Sequence, residues 1–333
     1  MAVYIVIRLQ IVAPANEGAS SNIQNNPYAF ATDVEQLATK ISTSLNYLKL
    51  LTIPTPLSSD YSYNSLPYKD FTSLLVWLSL AVHIALFWAF FYFLKRRHVM
   101  SFAIAFYLVN LLLICNIIVN IGGTMGERLI FHSSVGFAMA VAYLLYIGAT
   151  KIQPAALGKV ALAGCIVLLT GLFGFKTITR NKDWKNDRAL FSADLKVVPN
   201  SFLVNSMVAT DLINRSEIEP DTNKRKEDIR KGIELNNKAI SINPDYVLGF
   251  MNKAIAYFKL NMADSFLINL DNVRTRVPNY PQLGEMYYNV GTIYFLNKQY
   301  AQASAAWQIS IKIKPDYPPV VNGIKVLKQM GKY

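Results

Sequence analysis

Two short polar constellations interrupt an otherwise apolar first half of the chain. Glu127 and Arg128 stand side by side in GGTMGERLIFHSSVGF, and His132 follows four residues later. A charged pair between apolar stretches is costly unless it is matched or wet. A guanidinium forks onto phosphate oxygens, so one reading is a site for a phosphate or sugar head group. Arg128 would then be the phosphate ligand, with Glu127 beside it and His132 as a further donor. The other reading is an ion pair that pins the loop. Asp60, Tyr61, Ser62, Tyr63 and Asn64 form the second constellation. A carboxylate among hydroxyls can hold a sugar, but Asp and Asn also hold turns through their own side chains, and the turn is the preferred reading. Asp183, Trp184 and Asp187 come later, where an indole suits an interfacial anchor.

Other chemistry finds little support. Cys115 and Cys165 both lie within apolar stretches, which fits small packing residues better than a disulfide, a metal site or a nucleophile. His83, His98 and His132 are scattered, and no Cys/His spacing suits a metal. The net charge is +12. Lys and Arg are interspersed with acids rather than clustered, so no nucleic-acid partner is expected. No carboxylate stands out as a catalytic base, and the catalytic residues are left unassigned.

The elements that must position these groups fall into two regimes. The chain has 333 residues, 53% of them hydrophobic and 16% charged, against about a quarter charged in soluble proteins. The deficit lies before Thr179, a stretch with 11 of the 33 Lys and Arg and 6 of the 21 Asp and Glu. Residues 1–71 read as the end of a membrane helix followed by a polar extracytoplasmic loop. Met1 to Leu9 is too short to span a bilayer of about 20 helical residues. It reads as the end of a helix whose beginning is missing, or as an interfacial anchor, and no cleavable signal peptide is evident. Within the loop, Leu37, Ile41, Leu45, Leu48 and Leu51 recur at helical spacing between Thr32 and Ile53. An amphipathic helix lying on the membrane or on neighbouring helices is expected there.

Residues 72–178 read as four transmembrane helices, at about 72–94, 99–121, 129–150 and 159–178. Asn110, Asn116 and Asn120 should face protein and not lipid. Gly164, Gly171 and Gly174 should allow close helix packing. Lys95-Arg96-Arg97-His98 argues for a cytoplasmic loop, which puts the loop of residues 10–71 and the C-terminal region on the extracytoplasmic side.

Residues 179–333 read as tetratricopeptide repeats. Prolines recur at 34-residue spacing, from Pro244 to Pro278 and from Pro281 to Pro315. The clearest unit runs from Tyr288 to Tyr317. Gly291 should let its two helices approach, Tyr294 and Tyr300 should fill between them, and Ala303 and Ala306 should be small contacts. Pro315 should end the second helix. The unit Pro244 to Pro278 has Ala254, Ala256, Tyr257 and Phe258 in its first helix. The unit Pro199 to Pro244 is 11 residues too long, an excess assigned to a polar insertion near Ser216 to Lys226. Val320 to Met330 should cap the array. Such an array either binds a protein or peptide in its groove or serves as a rigid handle.

The order of these pieces carries a resemblance. NNPYAF (Asn25 to Phe30), the amphipathic stretch, LTIPTPLSSDYSYNSLPY (Leu51 to Tyr68), GERLIFHSSVGF (Gly126 to Phe137) and TRNKDWKNDRALFSADLKVVPNS (Thr179 to Ser201), then repeats, resemble the transmembrane and tetratricopeptide-repeat-containing protein O-mannosyltransferases and their bacterial relatives. The resemblance implies a GT-C-type glycosyltransferase that takes a sugar, mannose in the family, from a polyprenyl-phosphate carrier. It implies transfer to protein Ser or Thr at the extracytoplasmic (periplasmic or lumenal) face, with the repeats presenting the acceptor. It also implies a longer membrane part, with an acidic motif in the first extracytoplasmic loop acting as general base. That loop has no match here, since Glu17 is the one carboxylate before Asp33. The family's Tyr-x-Pro-Ser after Glu-Arg is also altered: Phe131-His132-Ser133-Ser134 stands in its place, without the proline. The expectation is an all-α protein, a multi-pass transmembrane bundle followed by an α-solenoid. It forms the C-terminal part of a membrane glycosyltransferase, inactive alone, or a non-catalytic membrane-anchored scaffold for protein–protein interaction.

Overall fold

The computed structural model describes residues 23–118 and 121–332, and the expectations for Met1 to Leu9 and for Asn120 lie outside them. Among the described residues the fold is all-helical, with thirteen α-helices and two 3-10 turns. The chain divides into two compact units, residues 1–201 and 202–333.

In the first unit, α1 (Asp33–Thr52) opens on a capping box in which Thr32 and Glu35 satisfy each other's backbone N–H. The side that packs inward is not the leucine stripe. The buried side is Ala38, Thr39, Ser42, Thr43, Ser44 and Tyr47, whereas Leu37 is 47% exposed and Ile41, Leu45, Leu48 and Leu51 are half-buried. Small hydroxyl residues permit this. Ser42 and Thr43 donate to the Thr39 carbonyl, and the Thr39 hydroxyl accepts the Lys69 N–H at 2.8 Å. Their polar atoms are satisfied within the protein, and the leucines are left for the surroundings.

Then come α2 (Leu74–Lys95), α3 (Val99–Ile114), α4 (Phe131–Thr150) and α5 (Ala155–Asn181). Each packs on the next in chain order, and α1 packs on α2. By length and composition, Leu74–Lys95, Glu127–Thr150 and Ala155–Asn181 can cross a membrane. The apolar helix α3 is shorter. It stops at Ile114, seven residues before the expected end, and its 16 residues span about 24 Å. The cause is Asn116, which adopts a left-handed φ of 60°. Its side chain donates to the carbonyls of Gly123 and Thr124 at 3.0 and 3.1 Å and accepts the Ile121 N–H at 2.8 Å, so it serves a loop and not a helix. Asn110 bonds back to the Phe106 carbonyl of its own helix.

The glycine expectation needs correction. A Cβ on Gly164, Gly171 or Gly174 would meet nothing within 4 Å, because α5 is almost wholly uncovered. Close approach occurs instead at Gly136, where a Cβ would lie 2.5 Å from the Ala103 carbonyl of α3, and at Gly158, 2.3 Å from the Ala149 carbonyl. A 3-10 turn (Asp183–Lys185) and α6 (Asp187–Val197) complete this unit.

The second unit is three helix pairs and a final helix: α7 (Phe202–Arg215) with α8 (Thr222–Ile242), α9 (Val247–Lys259) with α10 (Ala263–Arg276), α11 (Leu283–Leu296) with α12 (Tyr300–Ile313), and α13 (Pro318–Gln329). Pro244, Pro278 and Pro315 each follow directly on a helix end, so the spacing is 34 and then 37 residues, and Pro281 is not the equivalent position. The excess in the first pair is also not a loop through Lys226. Asp221 caps the amides of Asn223 and Lys224, and α8 begins at Thr222 and runs 21 residues.

Trp307 organises the last pair. A Cβ on Gly291 would lie 2.4 Å from its Cδ1, and one on Gly323 would lie 2.9 Å from its far edge. Its Nε1 donates to the Tyr288 carbonyl at 3.0 Å. Ala303, Ala306 and Tyr294 are buried in the same core; Tyr300 packs edge-on to Phe295 at 5.6 Å.

Candidate functional site

The polar side chains of the first unit converge at the loop ends of its helices. Glu127 opens the 3-10 turn Glu127–Ile130 that leads into α4. Its Oε1 accepts the Tyr61 hydroxyl and the Ser58 N–H, each at 2.7 Å. Burial, and then the charge of Glu127, push the Tyr61 phenol well above its ordinary range, so Tyr61 stays a donor. Glu127 makes no ion pair with Arg128. It does pin the loop, but its partners come from residues 58–61. Arg128 is exposed and has no carboxylate partner among the described residues, and His132 is exposed as well.

Asp60 is engaged as well. Its Oδ2 accepts the Ser62 N–H at 3.2 Å and the hydroxyls of Ser62 and Ser201 at 2.7 Å each. This is a turn tied to the start of the following segment, with the carboxylate occupied.

Sequence reasoning passed over the pair that holds this cluster from the other side. Asp194 of α6 is fully buried. One oxygen takes Arg180 at 2.7 Å, and the other takes the Ser59 N–H at 2.9 Å and the Ser59 hydroxyl. Arg180 also bonds Asp183 at 3.1 Å and lies over the Trp184 ring. Asp194 sits on the protein-facing side of an otherwise charged helix, beside Leu190, and that single acid on the buried face was the available signal.

Elsewhere around the same loops, Tyr68 donates to the Pro27 carbonyl at 2.7 Å, Asn116 donates to the Tyr28 hydroxyl at 3.3 Å, and the Asn64 N–H donates to the Asn200 carbonyl at 3.2 Å. The Gly126 N–H reaches the Tyr47 hydroxyl of α1 at 2.9 Å, and burial pushes that phenol up to about 12. The segments 25–30, 51–68, 126–137 and 179–201, far apart in sequence, thus form one hydrogen-bonded cluster. Among the described residues no group of three or more His, Cys, Asp or Glu is placed to hold a metal.

No protein-family model matches the chain. Curated relatives do. Protein O-mannosyl-transferase tmtc2 of Xenopus laevis is 32% identical over 108 residues, covering 32% of this chain and 12% of that protein. Protein O-mannosyl-transferase TMTC3 of Homo sapiens is 22% identical over 214 residues, covering 61% of this chain and 22% of that protein. The chain is a distant relative of these transferases. It spans less than a quarter of their length. Small glutamine-rich tetratricopeptide repeat-containing protein 2 of Mycosarcoma maydis is 26% identical over 121 residues, 36% of this chain and 34% of that protein. Among solved structures, a mutant of MamA covers 47% of this chain and 88% of its own at 15% identity and a TM-score of 0.33. YrrB, titled a TPR protein with an unusual peptide-binding site, covers 60% and 83% at 14% identity and the same TM-score.

Proposed function

We propose that the chain is the C-terminal part of a membrane glycosyltransferase that moves a sugar, mannose by analogy with the relatives, from a polyprenyl-phosphate carrier to a protein Ser or Thr. α2 to α5 lie in the bilayer, the polar cluster lies at its extracytoplasmic surface, and the helix pairs of residues 202–333 receive the acceptor protein. The observation that carries this reading is the division of labour at Glu127-Arg128. Glu127 is spent on Tyr61 and Ser58, and this fixes the turn while Arg128 stays exposed and unpaired. A cation presented on a fixed turn beside a membrane suits the phosphate of the carrier, with His132 as an adjoining donor. No residue here is assigned as the general base, which inverting transfer to a hydroxyl requires.

The test is Arg128→Ala in the fully assembled enzyme, read as glycosylated acceptor. Activity should fall at least about tenfold, and Arg128→Lys should recover only part, because an ammonium does not reproduce the guanidinium fork. Unchanged glycosylation rejects the assignment.

A second reading is a membrane-anchored repeat scaffold that recruits a partner protein without chemistry. The relationship to a small glutamine-rich tetratricopeptide protein supports it. Retained partner capture with no transfer in any assembly would favour it.

A further inference from the structure

A cavity of about 490 Å³ lies between α1, α2 and α3, within the size range of ligand sites. Ile41, Ser79, Phe87, Phe90, Ala105 and Cys115 mark its extent. From Ser79 to Phe90 is eleven residues of α2, so the groove runs roughly 16 Å along the helices. Most of its polar side chains are engaged within the protein. Ser79 donates to the Ile41 carbonyl, Ser44 to the Lys40 carbonyl, Cys115 to the Leu112 carbonyl, and His83 Nδ1 faces the Ser79 carbonyl at 2.7 Å, while His83 Nε2 is buried without a partner. The rest of the lining is hydrocarbon.

One end of the groove is different. Lys40 precedes Ile41, a residue of the groove wall. The recorded partner of its ammonium is the face of Tyr28, 5.1 Å from the ring centroid, and no carboxylate pairs with it among the described residues. Partial burial holds this ammonium below its ordinary range, so an anion there would be welcome. A long dry slot parallel to two apolar helices, with one unmatched cation at the loop end, has the outline of an amphiphile.

We propose that this groove binds one hydrocarbon chain of an anionic phospholipid, with Lys40 holding its phosphate. The inference rests on the membrane reading of α2 and α3 and not on glycosyl transfer.

The full chain, extracted in mild detergent, would be loaded with phosphatidylglycerol, phosphatidylcholine or a polyprenyl phosphate, and retained lipid counted by native mass spectrometry. Phosphatidylglycerol should be retained over phosphatidylcholine. Lys40→Glu should lower retention at least about fivefold, and Lys40→Arg should keep it. Ala105→Trp, which fills the slot, should abolish retention; Lys49→Glu, exposed on the same helix, should not. Equal retention of the two phospholipids, or no effect of Lys40→Glu with the fold intact by circular dichroism, overturns the proposal. Preferential retention of the polyprenyl phosphate overturns the phospholipid assignment. Recovery of the chain without detergent removes its basis, whereas loss of transfer in Arg128→Ala does not bear on it.

Discussion

Tyr61 donates its phenolic hydrogen to Glu127 at 2.7 Å, across 66 residues of sequence. The bond decides how the neighbouring charges are used. Glu127 is drawn towards residues 58–61, and Arg128 is left unopposed at the surface. A carboxylate free to turn would neutralise that cation, so the phenol keeps the guanidinium available.

Tyr61→Phe removes one of two donors to a largely buried carboxylate. We expect a loss of about 1–3 kcal/mol, the usual cost of leaving such a group short of a partner. Thermal or denaturant unfolding of the full chain in detergent measures it. Tyr63→Phe, which keeps its ring contacts with Phe30 and Tyr68, should shift the transition little. Coincident transitions for Tyr61→Phe and the parent chain would show that the bond holds nothing.

Alanine at two glycines should act with opposite signs. Gly291→Ala drives a methyl to within 2.4 Å of the Trp307 ring, which Gly323 backs on its other side, and overpacking of this kind costs about 1–3 kcal/mol. Gly164→Ala meets open space and removes a helix-weakening glycine, so it should be neutral or stabilising by up to about 1 kcal/mol. Melting curves of the two variants, with near-ultraviolet dichroism reporting on Trp307, separate the cases.

The second unit should weaken in alkali. Tyr287 donates to Asp271 and Tyr294 to Asp264, at 2.5 and 2.6 Å, and both acids lie on α10. Burial first, and then these carboxylates, push both phenols above their ordinary range. The unfolded chain loses these protons near pH ~10 while the folded one keeps them, so stability is fully present below that pH and falls as pH rises through it. Unfolding midpoints followed from neutral to alkaline pH should show this decline, and Tyr287→Phe should make it shallower. Equal slopes in both proteins would rule out the coupling.

Helix ends set by local chemistry were legible in sequence, and features set by distant partners were not. Pro244, Pro278 and Pro315 remove a backbone donor and stop helices wherever they stand. Asn116 looked like one polar residue within a span because the groups it bonds, at Gly123, Thr124 and Tyr28, are invisible to periodicity. The leucines of α1 left two partners open, membrane or neighbouring helices, because a leucine stripe marks the core side only where the surroundings are water, and here the Ser/Thr side packs inward. Glu127 and Arg128 drew attention as charges in an apolar setting. Asp194 and Arg180 did not, because each sits in a segment rich in charge, where one buried pair has no distinguishing mark.

The bonds from Ser59 to Asp194 also carry a cost in time. The two residues are separated by 135 positions, so during synthesis the loop is finished long before its partner exists. At about 5–20 residues per second the wait is roughly 7–27 seconds. Arg180 is made only shortly before Asp194, so for most of that interval the loop around Ser59 has neither. The bonds of Ser59 to Asp194 therefore cannot form in a chain halted before α6.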